Sequence, residues 1–171
     1  MIQLGSPDEE RRGSDKACIE QLVMDQHSAW NKGDLNAYLA GYSRSKDLTY
    51  TAGGAVHRGF EATQRCLYME AGRPLHSDQN PAAAPSIEAS LGALELAAPL
   101  EIVLLGLDSA WVLGTVRRIP SGGGAPELTT FTMVLRRTAG HGTRWEGWRV
   151  THQHATRHAA APAAALANGH A

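Results

Sequence analysis

The second half of the chain alternates apolar and polar residues. Four apolar runs, 94–105, 110–119, 128–137 and 145–154, are separated by Asp108-Ser109, by the Gly-rich stretch 120–127 and by residues 139–143. Long strands joined by short turns predict an antiparallel meander, with a bend in the first run at Pro99. Upstream the period is helical. Ile19, Leu22, Val23, Gln26, His27 and Trp30 share one face of a helix that Ser14 or Asp15 can cap and Gly33 ends. The stripe turns polar toward its C-terminal end, which suits either a helix end beside a pocket or an exposed one. Asp34 caps a short second helix whose apolar face is Leu35, Tyr38, Leu39 and Tyr42. Leu48 to Thr51 reads as a strand, Gly53-Gly54 as a tight turn, Val56 to Arg58 as a short return strand, and Phe60 to Ala71 as a third helix. Helices followed by sheet make the fold class α+β.

Both ends read as disordered. Residues 1–14 are polar, and residues 157–171 are Ala-rich with Pro162, Asn168 and Gly169. The domain is therefore placed at 15–156. Within it, residues 73–90 carry Pro74, Pro81 and Pro85 and read as an irregular insertion, either a lid or, as favoured here, disordered.

Composition mainly excludes. A chain of 171 residues with 43% hydrophobic and 19% charged residues suits one domain with a core. A formal charge of −1 without a basic stripe argues against nucleic acid as a partner. No signal-peptide core and no run of membrane-spanning length are seen, so no membrane association and a cytoplasmic location are expected. Cys18 and Cys66 belong to no C-x-x-C pair and are expected as free thiols. Gly122-Gly123-Gly124 lacks the Lys-Ser/Thr of a phosphate-binding loop.

The candidate chemistry lies in the last run, Trp148-Arg149-Val150-Thr151-His152-Gln153-His154. Unbroken alternation puts Trp148, Val150, His152 and His154 on one face and Arg149, Thr151 and Gln153 on the other. Two imidazoles on a half-buried face need partners or a wet cavity, which marks this region as the site. A metal there would need a third ligand such as His27 or His57, and the spacing alone does not specify one, so none is expected. Arg44, Arg58 and Arg117-Arg118 could bind an anionic group, although solvated surface is the commoner place of an arginine and is favoured here. Carboxylates suited to act as a buried base are scarce: Glu101, Asp108 and Glu146 fall near strand ends or turns, and Asp25 lies off the apolar face of helix 1, which leaves an approach of Glu61 or Glu70 in three dimensions as the open alternative.

Three stretches resemble a known superfamily. They are Ala29-Trp30-Asn31-Lys32-Gly33-Asp34-Leu35 with Tyr42, Asp47-Leu48-Thr49-Tyr50 through Gly53-Gly54 to Arg58-Gly59-Phe60-Glu61-Ala62-Thr63, and the final Trp148 to His154. Over about residues 16 to 156 the chain resembles the nuclear transport factor 2-like superfamily, in particular its SnoaL-like and ketosteroid isomerase-like members of unassigned function. The resemblance implies a cone: a strongly curved antiparallel sheet wrapped around the long N-terminal helix, with two shorter helices. It implies a pocket inside that cone lined by Trp30, Tyr42, Tyr50, His152 and His154, with His27 and Trp111 as further ligand-binding candidates. Relatives often carry Asp where this chain has Gln153. Scytalone dehydratase-like relatives pair Tyr with His in acid–base chemistry, so Tyr50, His152 and His154 are the catalytic candidates.

The implied function is binding of a small hydrophobic carbonyl compound, either as a cofactor-free isomerase, dehydratase or cyclase, or as a non-catalytic ligand-binding or association module. The superfamily usually dimerises through the outer sheet face. The second long strand is apolar on both sides, with Trp111 and Leu113 on one and Val112 and Val116 on the other, so a homodimer through that face is expected.

Overall fold

The computed structural model describes residues 6–71, 92–120, 124–138 and 144–159. The expected insertion at 73–90, residues 121–123 of the Gly-rich loop and most of the Ala-rich tail lie outside these. The first helix, α1 (Pro7–Asn31), begins well ahead of the expected cap. Ser6 Oγ accepts from the Glu9 N–H while the Glu9 carboxylate accepts from the Ser6 N–H. Pro7 stands in the first turn, and Asp8, Glu9 and Glu10 favour the positive end of the helix. Residues 7–14, expected as disordered, are therefore helical. Their polarity reflects exposure, not a lack of structure.

From Ile19 onward α1 carries the expected stripe, with Ile19, Leu22, Val23, Gln26, His27 and Trp30 buried. Asp34 caps α2 (Leu35–Leu39) by accepting from the Ala37 N–H. Gly59, with φ +84, leads into α3 (Phe60–Glu70), which packs on β1, β2 and α2.

Seven strands form one sheet: β1 (Thr49–Ala52), β2 (Ala55–Arg58), β3 (Ala93–Leu96), β4 (Glu101–Leu104), β5 (Ser109–Ile119), β6 (Glu127–Arg137) and β7 (Trp148–Ala159). Their order is β2-β1-β7-β6-β5-β3, with β4 also on β5. The first predicted run is two strands, β3 and β4, separated across Pro99 and both antiparallel to β5. The sheet is mixed, not a pure antiparallel meander, because β1 runs parallel to β7. No hairpin joins these two strands, so no turn imposes the antiparallel direction. Their approach is prepared upstream, where the Ser43 N–H donates to the Val150 carbonyl (2.8 Å) and the Val150 N–H to the Gly41 carbonyl (2.9 Å). The sheet does not close on itself.

The fourth run also starts differently. Residues 144–147 form a tight turn in which Trp145 (φ 57) and Glu146 (φ 48) take left-handed backbone conformations. That conformation is unfavourable for large side chains. It is held by the Trp145 indole N–H, which donates to Asp25 of α1 at 2.8 Å. β7 then runs beyond the expected boundary at 156 to Ala159.

Candidate functional site

The inner face of the sheet can be followed row by row. On β5 it carries Ala110, Val112, Gly114, Val116 and Arg118; on β6, Thr129, Phe131, Met133 and Leu135. Gly114 is required there, since a Cβ would stand 2.3 Å from the Phe131 ring. On β7 the first half obeys the expected phase, with Trp148 and Val150 fully buried. The phase then breaks. Leu135 pairs with Val150, but Val134 pairs with His152, so Thr151 is an extra residue, a β-bulge. Thr151 Oγ1 donates to the Val134 carbonyl at 3.1 Å, which helps tie the bulged strand to β6.

One inserted residue exchanges the two faces of everything that follows. Gln153 is buried, 5% exposed, in a row with Val112, Met133 and Tyr50. His152 and His154 turn to the outer face. His152 Nδ1 lies 2.6 Å from Thr49 Oγ1, and exposed His154 places Nε2 3.3 Å from Thr156 Oγ1.

Between the inner face and the helices lies a cavity of about 70 Å³. That is room for on the order of five water-sized groups. Part of its polar wall is a set of neutral donors. The Tyr42 hydroxyl donates to Gln153 Oε1 at 2.5 Å and lies 3.3 Å from the Tyr38 hydroxyl. The Gln153 carbonyl is thus occupied, and its amide N–H groups are the part that can serve a neighbour. Tyr50 lines the cavity and makes no hydrogen bond among the described residues. Burial pushes Tyr38 above the ordinary phenol range, and Tyr42 and Tyr50 well above it, so all three are protonated donors at neutral pH.

His27 projects from α1 into the same cavity, 6.0 Å from the Phe131 ring and edge-on to it. Burial lowers its pKa to about 4, so the imidazole is neutral, and its Nδ1 has no partner among the described residues. Among the described residues Glu70 is the one carboxylate that lines the cavity. It lies at the end of α3, paired with Arg157 at 3.5 Å. Arg118 completes the wall, its guanidinium carbon 5.2 Å from the centre of the Trp30 ring.

No protein-family model matches the chain, and neither does any curated protein. Solved structures do. A nuclear transport factor 2-like protein of unknown function from Shewanella oneidensis MR-1 is 23% identical, with a TM-score of 0.63 over 82% of this chain and 97% of that one. A ketosteroid isomerase-like protein from Erwinia carotovora atroseptica SCRI1043 is 18% identical, with a TM-score of 0.56 over 85% and 96%. A scytalone dehydratase-like protein from Novosphingobium aromaticivorans DSM 12444 is 8% identical, with a TM-score of 0.60 over 88% of each chain. The chain has the nuclear transport factor 2-like fold.

In this nuclear transport factor 2-like fold, Trp30, His27 and Tyr50 line the cavity. Tyr42 stands one layer behind, 1% exposed, and reaches the wall through Gln153. His152 and His154 do not join them, because of the bulge. Trp111 does not either: alternation along β5 buries Ala110 and Val112 and turns Trp111 outward, where it pairs with Val103 and Val134. Gln153, Tyr38, Arg118, Arg157 and Glu70 also line the cavity and were not among the expected site residues. Arg118 had a usable signal, since it continues the period-two series of Val112 and Val116. Tyr38 was placed on the apolar face of α2 but was read as core alone.

Among the described residues no group of three His, Cys, Asp or Glu side chains could hold a metal ion. No described helix is long and apolar enough to cross a membrane.

Proposed function

We propose that the chain is a small-molecule-binding domain whose cone takes a compact, largely apolar compound with a carbonyl oxygen. The observation that carries this is the buried His27 Nδ1, which has no partner among the described residues and shares a cavity with the Tyr50 phenol and the Gln153 amide. Neutral donors around an apolar space suit a neutral acceptor, and a buried polar group without a partner is costly unless a ligand supplies one. A thermal-shift screen with small ketones and unsaturated carbonyl compounds tests it. A compound that raises the melting temperature of the wild type should raise it much less in Tyr50→Phe, which keeps the ring and loses the donor. Equal shifts in both proteins would remove Tyr50 from the reading.

A turnover reading is favoured by His27. A buried neutral imidazole with a free nitrogen can take a proton, and Tyr50 can polarise the carbonyl that loses it. This assigns the acid–base pair to His27 and Tyr50. Solvent exchange of α-protons in a bound ketone, followed by NMR, should then be faster with the wild type than with His27→Gln. Equal rates would leave binding alone.

We also propose a homodimer through the outer sheet face. The supporting feature is the row Val103, Trp111, Val134 and His152, whose four side chains are all half-buried in the single chain. Light scattering on wild type and Trp111→Glu should show loss of the dimer in the variant.

A further inference from the structure

Arg118, Arg157 and Glu70 line the cavity, and the carbonyl reading uses none of them. Arg118 belongs to the inner face of β5, beyond Val116, and also borders a surface groove with Gly53, His154 and Arg157. Its guanidinium leans over Trp30, and its Nε is buried with no hydrogen-bond partner among the described residues. The other arginine of the wall, Arg157, is held by Glu70 at 3.5 Å. Glu127, the cross-strand neighbour of Arg118, is exposed, and no ion pair joins the two. Burial first and Arg157 second make the Arg118 charge costly to keep, while Glu70 and Glu127 offset that only in part. A buried N–H without an acceptor, on a group that stays charged, calls for an anion to face it. The planar fork of arginine matches a carboxylate, and Trp30 already fixes its plane. Behind it the wall is apolar: Leu94, Val116 and Phe131.

We propose that the ligand is a small monocarboxylate, its anionic end held by Arg118 at the cavity mouth and its apolar or carbonyl-bearing end turned toward Tyr50 and Gln153. This rests on the cavity reading above and adds the ligand's charge. Glu70 sets the affinity by occupying Arg157 and by repelling the incoming anion.

The test is calorimetric titration of the wild type with 4-oxopentanoate and benzoate, each compared with its methyl ester. Arg118→Gln, Arg118→Lys and Glu70→Gln are then titrated with the same compounds after a melting curve confirms that each is folded. The acids should bind about tenfold more tightly than the esters, the value of one charge-assisted hydrogen bond. Arg118→Gln should abolish that preference. Arg118→Lys should restore part of it. Glu70→Gln should tighten acid binding more than ester binding, a gain that a merely structural role would not give.

Esters binding as well as acids, or a preference that survives Arg118→Gln, would overturn the carboxylate while the cavity stands. If neither acid nor ester binds any of the proteins, the cavity reading falls with it. Should Arg118→Gln fail to fold, the Glu70→Gln result decides: no tightening overturns the proposal.

Discussion

The two halves of β7 use the same sheet in opposite ways. Before Thr151, Trp148 and Val150 are sealed under α1, and Arg137 both stacks on Trp148 (4.8 Å) and pairs with Asp15. After Thr151, Gln153, Ala155 and Arg157 face a cavity. Both halves are regular strand, paired with β6 on one side. What separates them is one extra residue and the neighbour on the other side, which changes from the segment 41–43 to β1 at that point. The function of a face is therefore set by phase, not by which residues the strand contains. Two histidines that look like a site become surface, and a glutamine between them becomes the wall.

The strongest way to break the contrast is to empty the sealed half. Trp148→Ala should cost about 3–5 kcal/mol by cavity formation, read from urea midpoints. A loss under about 1 kcal/mol would mean that this half is not sealed. Deleting Thr151 comes next. It removes the extra residue and leaves Val150 inside, His152 outside and Gln153 inside on their present β6 partners, so both faces should survive and the loss should stay below that of Trp148→Ala. A larger loss would mean that the bulge itself, and not the phase it sets, holds the strand.

In the open half, His27 gives a pH signature. Its folded pKa of about 4 lies below the ordinary 6.5, so the unfolded chain binds the proton more readily. Stability is full above 6.5 and is lost as pH falls toward 4, by on the order of 3 kcal/mol. His27→Gln should flatten that window in denaturation curves taken between these two values. An unchanged slope would show that other groups govern the acid limb. The smallest effect belongs to the outer face. His152→Ala with His154→Ala should cost under about 1 kcal/mol, mostly through the Thr49 contact, and should leave ligand-induced thermal shifts intact. Loss of those shifts would put the histidines back in the site.

Much of the architecture was legible in the residue pattern. The α1 stripe, the Asp34 cap, the β1–β2 hairpin and the three long strands obey local rules that require no knowledge of neighbours. The start of α1 was misplaced because charged residues around a capping box resemble a disordered leader when only hydrophobicity is counted. The site was legible on its helical side, where Trp30 and His27 follow from helical period. It was misread on β7. A bulge is a property of a pair of strands, and a single strand read alone shows no sign of which residue will be skipped. Thr151, whose hydroxyl binds the β6 backbone, is unremarkable until Val134 is set beside it.

The position of β7 also governs when the molecule can become whole. This strand is made after the other six, yet it is inserted between β1 and β6. Until it arrives, the β1–β2 hairpin is joined to the rest of the sheet by no strand, and Tyr50 has no Gln153 beside it. Folding must wait for a pairing between residues about one hundred positions apart, such as Thr49 with His152, a separation that slows folding through the entropy of closing so long a loop. A ribosome halted before Trp148 would hold a chain with two open strand edges where the finished sheet has its centre, and those edges invite aggregation.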